Sequence, residues 1–226
     1  MSTLPDRFHT MMQSTRTQLR LTLHRHADHV VQMSAAEQAQ HLETIREFVP
    51  YPLTDDFSAA LPIQEGCELA WSCAVGDDTI SGELRLDEFL SVIHSPAPSL
   101  DRPEWSDDVR QLLSESRVFD DQDYSGNGRM SLLRFTDDGR CEVWFYRQGE
   151  LFRLSLSYRE YLERLCETRG LYDWQLFFAD PADLRHSPGL SGRAESVLGA
   201  LLGALSAVFP ETDTTAYRSI CDGMRA

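Results

Sequence analysis

The residues most able to do chemistry are a run of acids and amides in the middle of the chain. Asp121, Asp123, Ser125 and Asn127 alternate with Gly126 at the turn, the spacing of the first half of a calcium-binding loop, in which oxygen ligands converge on one cation. The twelfth position of such a loop needs a bidentate Glu and here is Leu132, and the flanks read as strands. An acidic connecting loop therefore outweighs a metal site. Four histidines, His24, His26, His29 and His41, raise a zinc reading. On a helix His26 and His29 share a face while His24 points elsewhere, and no Cys or acid completes a tetrahedral set, so a solvated surface is favoured. Gly189, Leu190, Ser191 and Gly192 lie near His186 but do not have the spacing of a nucleophile elbow. Five cysteines (Cys67, Cys73, Cys141, Cys166, Cys221) form an odd set without a Cys-x-x-Cys pair, which fits reduced, buried thiols better than a disulfide framework or a catalytic pair. No cofactor, metal or catalytic residue is assigned.

Composition narrows the chemistry further. The 226 residues carry a net charge of −15, and all 21 basic residues are Arg. Without Lys there is no Schiff base and no Walker phosphate loop. A polyanion would meet net repulsion, so nucleic acid is not the expected partner. The most apolar stretch, 197–209, spans only about 20 Å as a helix, too short for a ~30 Å hydrocarbon core, and no secretory signal is read at the N-terminus. The expectation is a cytoplasmic protein that neither enters nor crosses a membrane.

Charge is uneven, at +2 over residues 1–33 and −17 over the rest. Five Asp-Asp pairs (55–56, 77–78, 107–108, 120–121, 137–138) fall at turns or helix starts, where carboxylates accept backbone donors and face water. Residues 101–125 hold eight acids against three Arg, a patch suited to steering a basic protein. Plain solubility explains it as well. Asp107, Asp108, Asp120, Asp121 and Asp123 are the candidate partner-binding residues.

These groups must be positioned by secondary structure. Leu19, Leu23, His26 and Val30 recur at helical spacing, and Ser34 with Glu37 forms a capping box opening a second helix that ends at Pro50 and Pro52. A boundary near residue 50 divides an N-terminal helical extension, 1–50, from an α+β domain, 51–226. Thr54, Asp55 and Asp56 can cap a short helix. Residues 68–73 and 80–86 read as a hairpin about Gly76 and Asp77, and the Pro-rich segment 94–104 as a surface loop. A short helix follows through Val109, Leu112 and Leu113. From Arg129 a three-stranded meander turns at Asp138-Gly139 and Gln148-Gly149, then feeds a helix capped by Ser157 and Glu160, with a Glu160–Arg164 pair on its outer face and Arg169-Gly170 at its end. A late helix carries Leu198, Leu201, Leu202 and Leu205 on one face and Gly199, Ala200, Gly203 and Ala204 on another; the small residues read as internal packing before a dimer seam. The fold class is α+β, one antiparallel sheet flanked by helices with helical N- and C-terminal extensions.

The order of these segments resembles the SUKH superfamily, which includes a yeast cell-wall-assembly regulator and many bacterial immunity proteins. Residues 53–63 look like its helix, followed by Gly66-Cys-Glu-Leu-Ala-Trp71 and Ile80-Ser-Gly-Glu-Leu-Arg-Leu86. Arg117-Val-Phe-Asp-Asp121 is similar to its mid-domain strand. Residues 154–165 and 168–177 look like its strand, helix and Trp-containing segment, and Phe209-Pro210 with Asp213 like a tail. Gln64-Glu65-Gly66 stands where many members have an Asn-Gly turn. The resemblance implies a non-enzymatic cytoplasmic protein that binds and neutralises a cognate polymorphic or contact-delivered bacterial toxin, such as a basic nuclease. A regulatory scaffold for endogenous proteins is the alternative, ahead of an enzyme whose Cys and His meet only in space.

Overall fold

The computed structural model describes residues 3–29, 34–48, 66–100, 102–136, 141–190 and 192–225. Among these residues seven strands form one sheet in the order β1 to β7, every neighbouring pair antiparallel. They are β1 (Thr22–Asp28), β2 (Cys67–Val75), β3 (Asp78–Leu86), β4 (Ser116–Asp121), β5 (Arg129–Phe135), β6 (Cys141–Arg147) and β7 (Glu150–Arg153). Eight α-helices among the described residues flank it: α1 (Leu4–Thr17), α2 (Ala35–Phe48), α3 (Phe89–His94), α4 (Asp107–Ser114), α5 (Tyr158–Thr168), α6 (Pro181–His186), α7 (Ala194–Val208) and α8 (Thr215–Arg225). The protein is α+β with helical elements at both ends.

Period-two alternation separates the two faces of the sheet. Leu69, Trp71, Leu84, Leu133, Val143, Phe145 and Phe152 face α1, α5, α7 and α8 in the main core, whereas Val118, Met130, Leu132, Trp144 and Leu151 face Leu112 and Leu113 of α4 and Trp105. α5 begins where the capping box predicts, with the Ser157 hydroxyl accepting from the Glu160 amide and the Glu160 carboxylate accepting from the Ser157 amide. Arg169 ends it in the left-handed region, φ 51°. Because Glu160 is occupied by this cap, Arg164 pairs with Glu167 at 2.8 Å and not with Glu160.

The N-terminal segment differs from the helix that its spacing predicts. Residues 22–28, read as part of a helix through Leu19, Leu23 and His26, form strand β1, paired along β2; the helix lies earlier, at Leu4–Thr17, opened by a Thr3–Asp6 capping box. A register shift between Leu23 and Arg25 sets the inward residues three apart, which imitates helical spacing. Phe8 and Met12 are fully buried, so α1 shares the core of the sheet. α3 precedes the proline-rich loop and, at six residues, is too short for its apolar positions to show a helical period. The residue-50 boundary, the Thr54 cap, the helix at 53–63 and the Asp137-Asp138-Gly139 turn lie outside the described residues.

Candidate acidic docking site

The segment that holds most of the candidate residues grows from a defect in the sheet. β3 and β4 share one registered pair, Leu86–Asp120, while β2 and β3 share nine. Beyond that pair the strands part, and β3 must satisfy its backbone groups elsewhere. Side chains of β4 and the residues after it replace the missing ladder: Asp120 Oδ1 accepts from the Arg85 amide at 3.0 Å, and Gln122 Nε2 donates to the Glu83 carbonyl at 3.1 Å. On the same edge the Glu83 amide donates to the Gly170 carbonyl at 2.7 Å and the Tyr172 amide to the Ser81 carbonyl at 3.1 Å. Gly170, at φ +70°, has no room for a Cβ against the Glu83 carbonyl. The segment after α5 is thereby wedged against β3.

A β-bulge in β4 between Val118 and Asp120 turns two consecutive residues inward. Phe119 packs edge-on against Tyr158 and Tyr161, and Asp120 is fully buried with Oδ2 accepting from the Tyr161 hydroxyl at 2.6 Å. Tyr161 also meets Ser131 Oγ at 2.7 Å and Gln175 Nε2 at 3.2 Å. Burial pushes the Asp120 carboxyl up to about 7 against the pull of its two donors, and the charges of Asp121 and Glu83 push the same way.

Glu83, buried on the other side of the seam, anchors the following loop. Its carboxylate accepts from the amides of Tyr124 and Ser125 and from the Tyr172 hydroxyl. Arg129 holds Asp173 by two hydrogen bonds, 2.6 and 3.2 Å, and lies over the Tyr172 ring. The loop is therefore tied from beneath by buried groups while Asp123 and Tyr124 face solvent, with Tyr124 47% exposed. Tyr124 stacks on His24 at 5.7 Å and Arg25 lies 5.4 Å from its ring centroid.

This geometry redistributes the five candidate aspartates. Asp120 is withdrawn from any partner surface because it is buried in the seam. Asp121 is half-buried, and that burial together with the neighbouring Asp123 raises its carboxyl above the ordinary range. Asp123 is exposed and bridges Arg25 at 3.0 Å and Arg85 at 2.7 Å. Asp107 and Asp108 stand exposed in the first turn of α4, capped by Ser106, on the face of the sheet opposite the main core. Asp121, the last residue of β4, and Asp123 in the loop after it thus lie together, and Asp107 and Asp108 form another site. Tyr124, His24 and Arg25 joined this surface unannounced; the one signal was an aromatic within an otherwise polar loop.

The calcium-like spacing serves a different end, since Asp123 is taken by two arginines and the loop closes on the Glu83 carboxylate. The histidines diverge on β1, His24 to Ser72 Oγ and His26 to the Met12 carbonyl, while the side chain of His41 and residue Ser191 are outside the described set. Among the described residues no group of three His, Cys, Asp or Glu is placed to hold a metal. His186 turns to the Ala182 carbonyl of its own helix. Burial raises the thiols of Cys67, Cys141 and Cys166, the opposite of what a nucleophile needs. On α7, Ala204 packs against the main core, while Ala200, Gly203, Ala204 and Ala207 also line an open apolar groove of about 550 Å³ against the β2–β3 hairpin.

Comparison with known proteins finds no family model, no curated protein and no solved structure that matches this chain. Among the described residues no helix is long and apolar enough to cross a membrane.

Proposed function

We propose that the chain is a non-enzymatic immunity protein that binds and neutralises a cognate toxin in the cytoplasm, the function its SUKH resemblance implies. The observation that carries the reading is the loop at 121–125, which offers an acid and an aromatic side chain to solvent while its backbone is fixed by the buried Glu83. A surface ordered before binding loses little entropy on docking, and an exposed Tyr beside Arg is the residue chemistry of interface centres. Acids at Asp107, Asp108, Asp121 and Asp123 steer a basic partner, such as a nuclease, and set its orientation before the apolar contact forms. The raised thiols of the buried cysteines support a binding role over covalent catalysis.

The test begins with co-purification of the product of the neighbouring upstream gene. Replacing Asp107, Asp108, Asp121 and Asp123 by Asn should slow its association about tenfold in low salt, with the difference shrinking in high salt. Tyr124→Ala should accelerate dissociation instead, since it removes contact without removing charge. An unchanged association rate in the charge variant rules out these acids as the steering surface.

A further inference from the structure

The seam between β3 and β4 divides the sheet into a half made of β1–β3 and a half made of β4–β7. One registered pair joins them, supplemented by the Asp87 amide donating to the Phe119 carbonyl at 3.3 Å, the Gln122–Glu83 bond and the Asp120–Arg85 bond. Asp120 is the titratable link among these. Its carboxyl joins β3, through the Arg85 amide, to α5, through the Tyr161 hydroxyl, and is fully buried. The charged groups around it do not neutralise it. The Arg85 guanidinium is turned to Asp123, and the other ionisable groups facing Asp120 are Asp121 on its own strand, Glu83 on β3, Cys67 on β2, and Tyr158 and Tyr161 on α5. None of these side chains is a cation, and burial keeps the thiol and the phenols neutral.

The hydrogen-bond chain beyond Asp120 can run in either direction. With Asp120 ionised, Tyr161 donates to it and accepts from Gln175 Nε2. Gln175 Oε1 is then a fully buried acceptor with no partner among the described residues, which disfavours this arrangement. With Asp120 protonated, the carboxyl donates to the Tyr161 oxygen, and the phenol proton turns to Ser131 Oγ or, after rotation of the amide, to Gln175 Oε1.

We propose that the β3–β4 seam is a pH-responsive latch, in which a proton on Asp120 keeps the two halves of the sheet closed and its loss releases them. This device does not depend on which partner the protein binds. In the opened seam Asp120 is solvated and titrates in the ordinary carboxylate range, near 4. In the closed seam it holds its proton up to about pH 7. Between those limits the closed form binds more protons than the open one, so rising pH favours opening by up to tenfold per unit, and the effect flattens above about 7.

Amide exchange of the intact protein, resolved by NMR between pH 5 and 8 and corrected for intrinsic chemistry, reads this directly. The reporter is the Arg85 amide, which donates to Asp120, and the control is the Phe145 amide in the middle of β6. The latch requires opening at Arg85 to rise with pH by up to tenfold per unit, to level off above about 7 and to leave Phe145 behind. Asp120→Asn, which keeps the shape and removes the charge, should abolish that slope. Should Asp120→Asn not fold, Tyr161→Phe decides: it strips a donor from the ionised carboxylate and should move the levelling-off to higher pH. Opening at Arg85 no more frequent than at Phe145, a slope that survives in Asp120→Asn, or a levelling-off that Tyr161→Phe leaves unmoved would overturn the latch.

Discussion

At the scale of single residues, the sheet is built on what one side chain permits its neighbour. The Trp71 ring lies flat over Gly82, its cross-strand partner, with Nε1 donating to the Arg169 carbonyl at 2.7 Å and Phe209 packed edge-on at 5.1 Å. A Cβ at position 82 would occupy the space of the indole ring. Gly82→Ala therefore forces the ring or the strand aside in a packed core, and a loss of roughly 1–3 kcal/mol in urea unfolding is expected. Asp120 makes the complementary point about reading a sequence. An Asp-Asp pair between two predicted elements has the composition of a turn, and only the bulge that turns Phe119 and Asp120 inward together makes the first Asp a core residue. Neither burial nor bulge leaves a mark on residue type, whereas its neighbour Asp121 is half in solvent as composition suggests.

At the scale of elements, what was legible followed from local chemistry. The two capping boxes at Ser34 and Ser157, the β2–β3 hairpin and the meander from Arg129 to Arg153 each combine a start or turn signal with a clean period. Strands β1 and β4 each carry a register shift that breaks alternation, so period-two counting failed on both; β4 was anticipated only through family likeness. The candidate site was legible in part: the acidic loop was found, but the groups that fix it, Glu83 and Tyr172, come from segments 41 and 48 residues away from the Tyr124 they frame. α7 shows the converse, an element whose composition exceeds its use. Its residues 197–208 carry no charge, yet Gly203 faces open space and a Cβ there would touch nothing. Gly203→Ala should thus stabilise the protein by about 0.5–1 kcal/mol through helix propensity, opposite in sign to Gly82→Ala under the same denaturant.

At the scale of the molecule, the question is whether the first 28 residues are an appendage or part of one cooperative unit. Their charge differs in sign from that of the rest, which favours an appendage when composition alone is weighed. Packing argues the other way. β1 pairs with β2 along its length, α1 lies on α5 with Arg7 reaching Glu167 at 3.3 Å, and Gln18 donates to the Val208 carbonyl at the far end of α7. Phe8 from α1 and Leu205 from α7 are both fully buried in one apolar cluster, although 197 positions separate them. Truncating either should leave a cavity, costing about 3–5 kcal/mol for Phe8→Ala and about 2–5 kcal/mol for Leu205→Ala. If one core unites the ends, both variants keep a single transition in calorimetry and near-ultraviolet dichroism, displaced to lower temperature by comparable amounts. A separate N-terminal unit would instead give Phe8→Ala a second, early transition while the main one stayed in place, with Leu205→Ala moving only the latter.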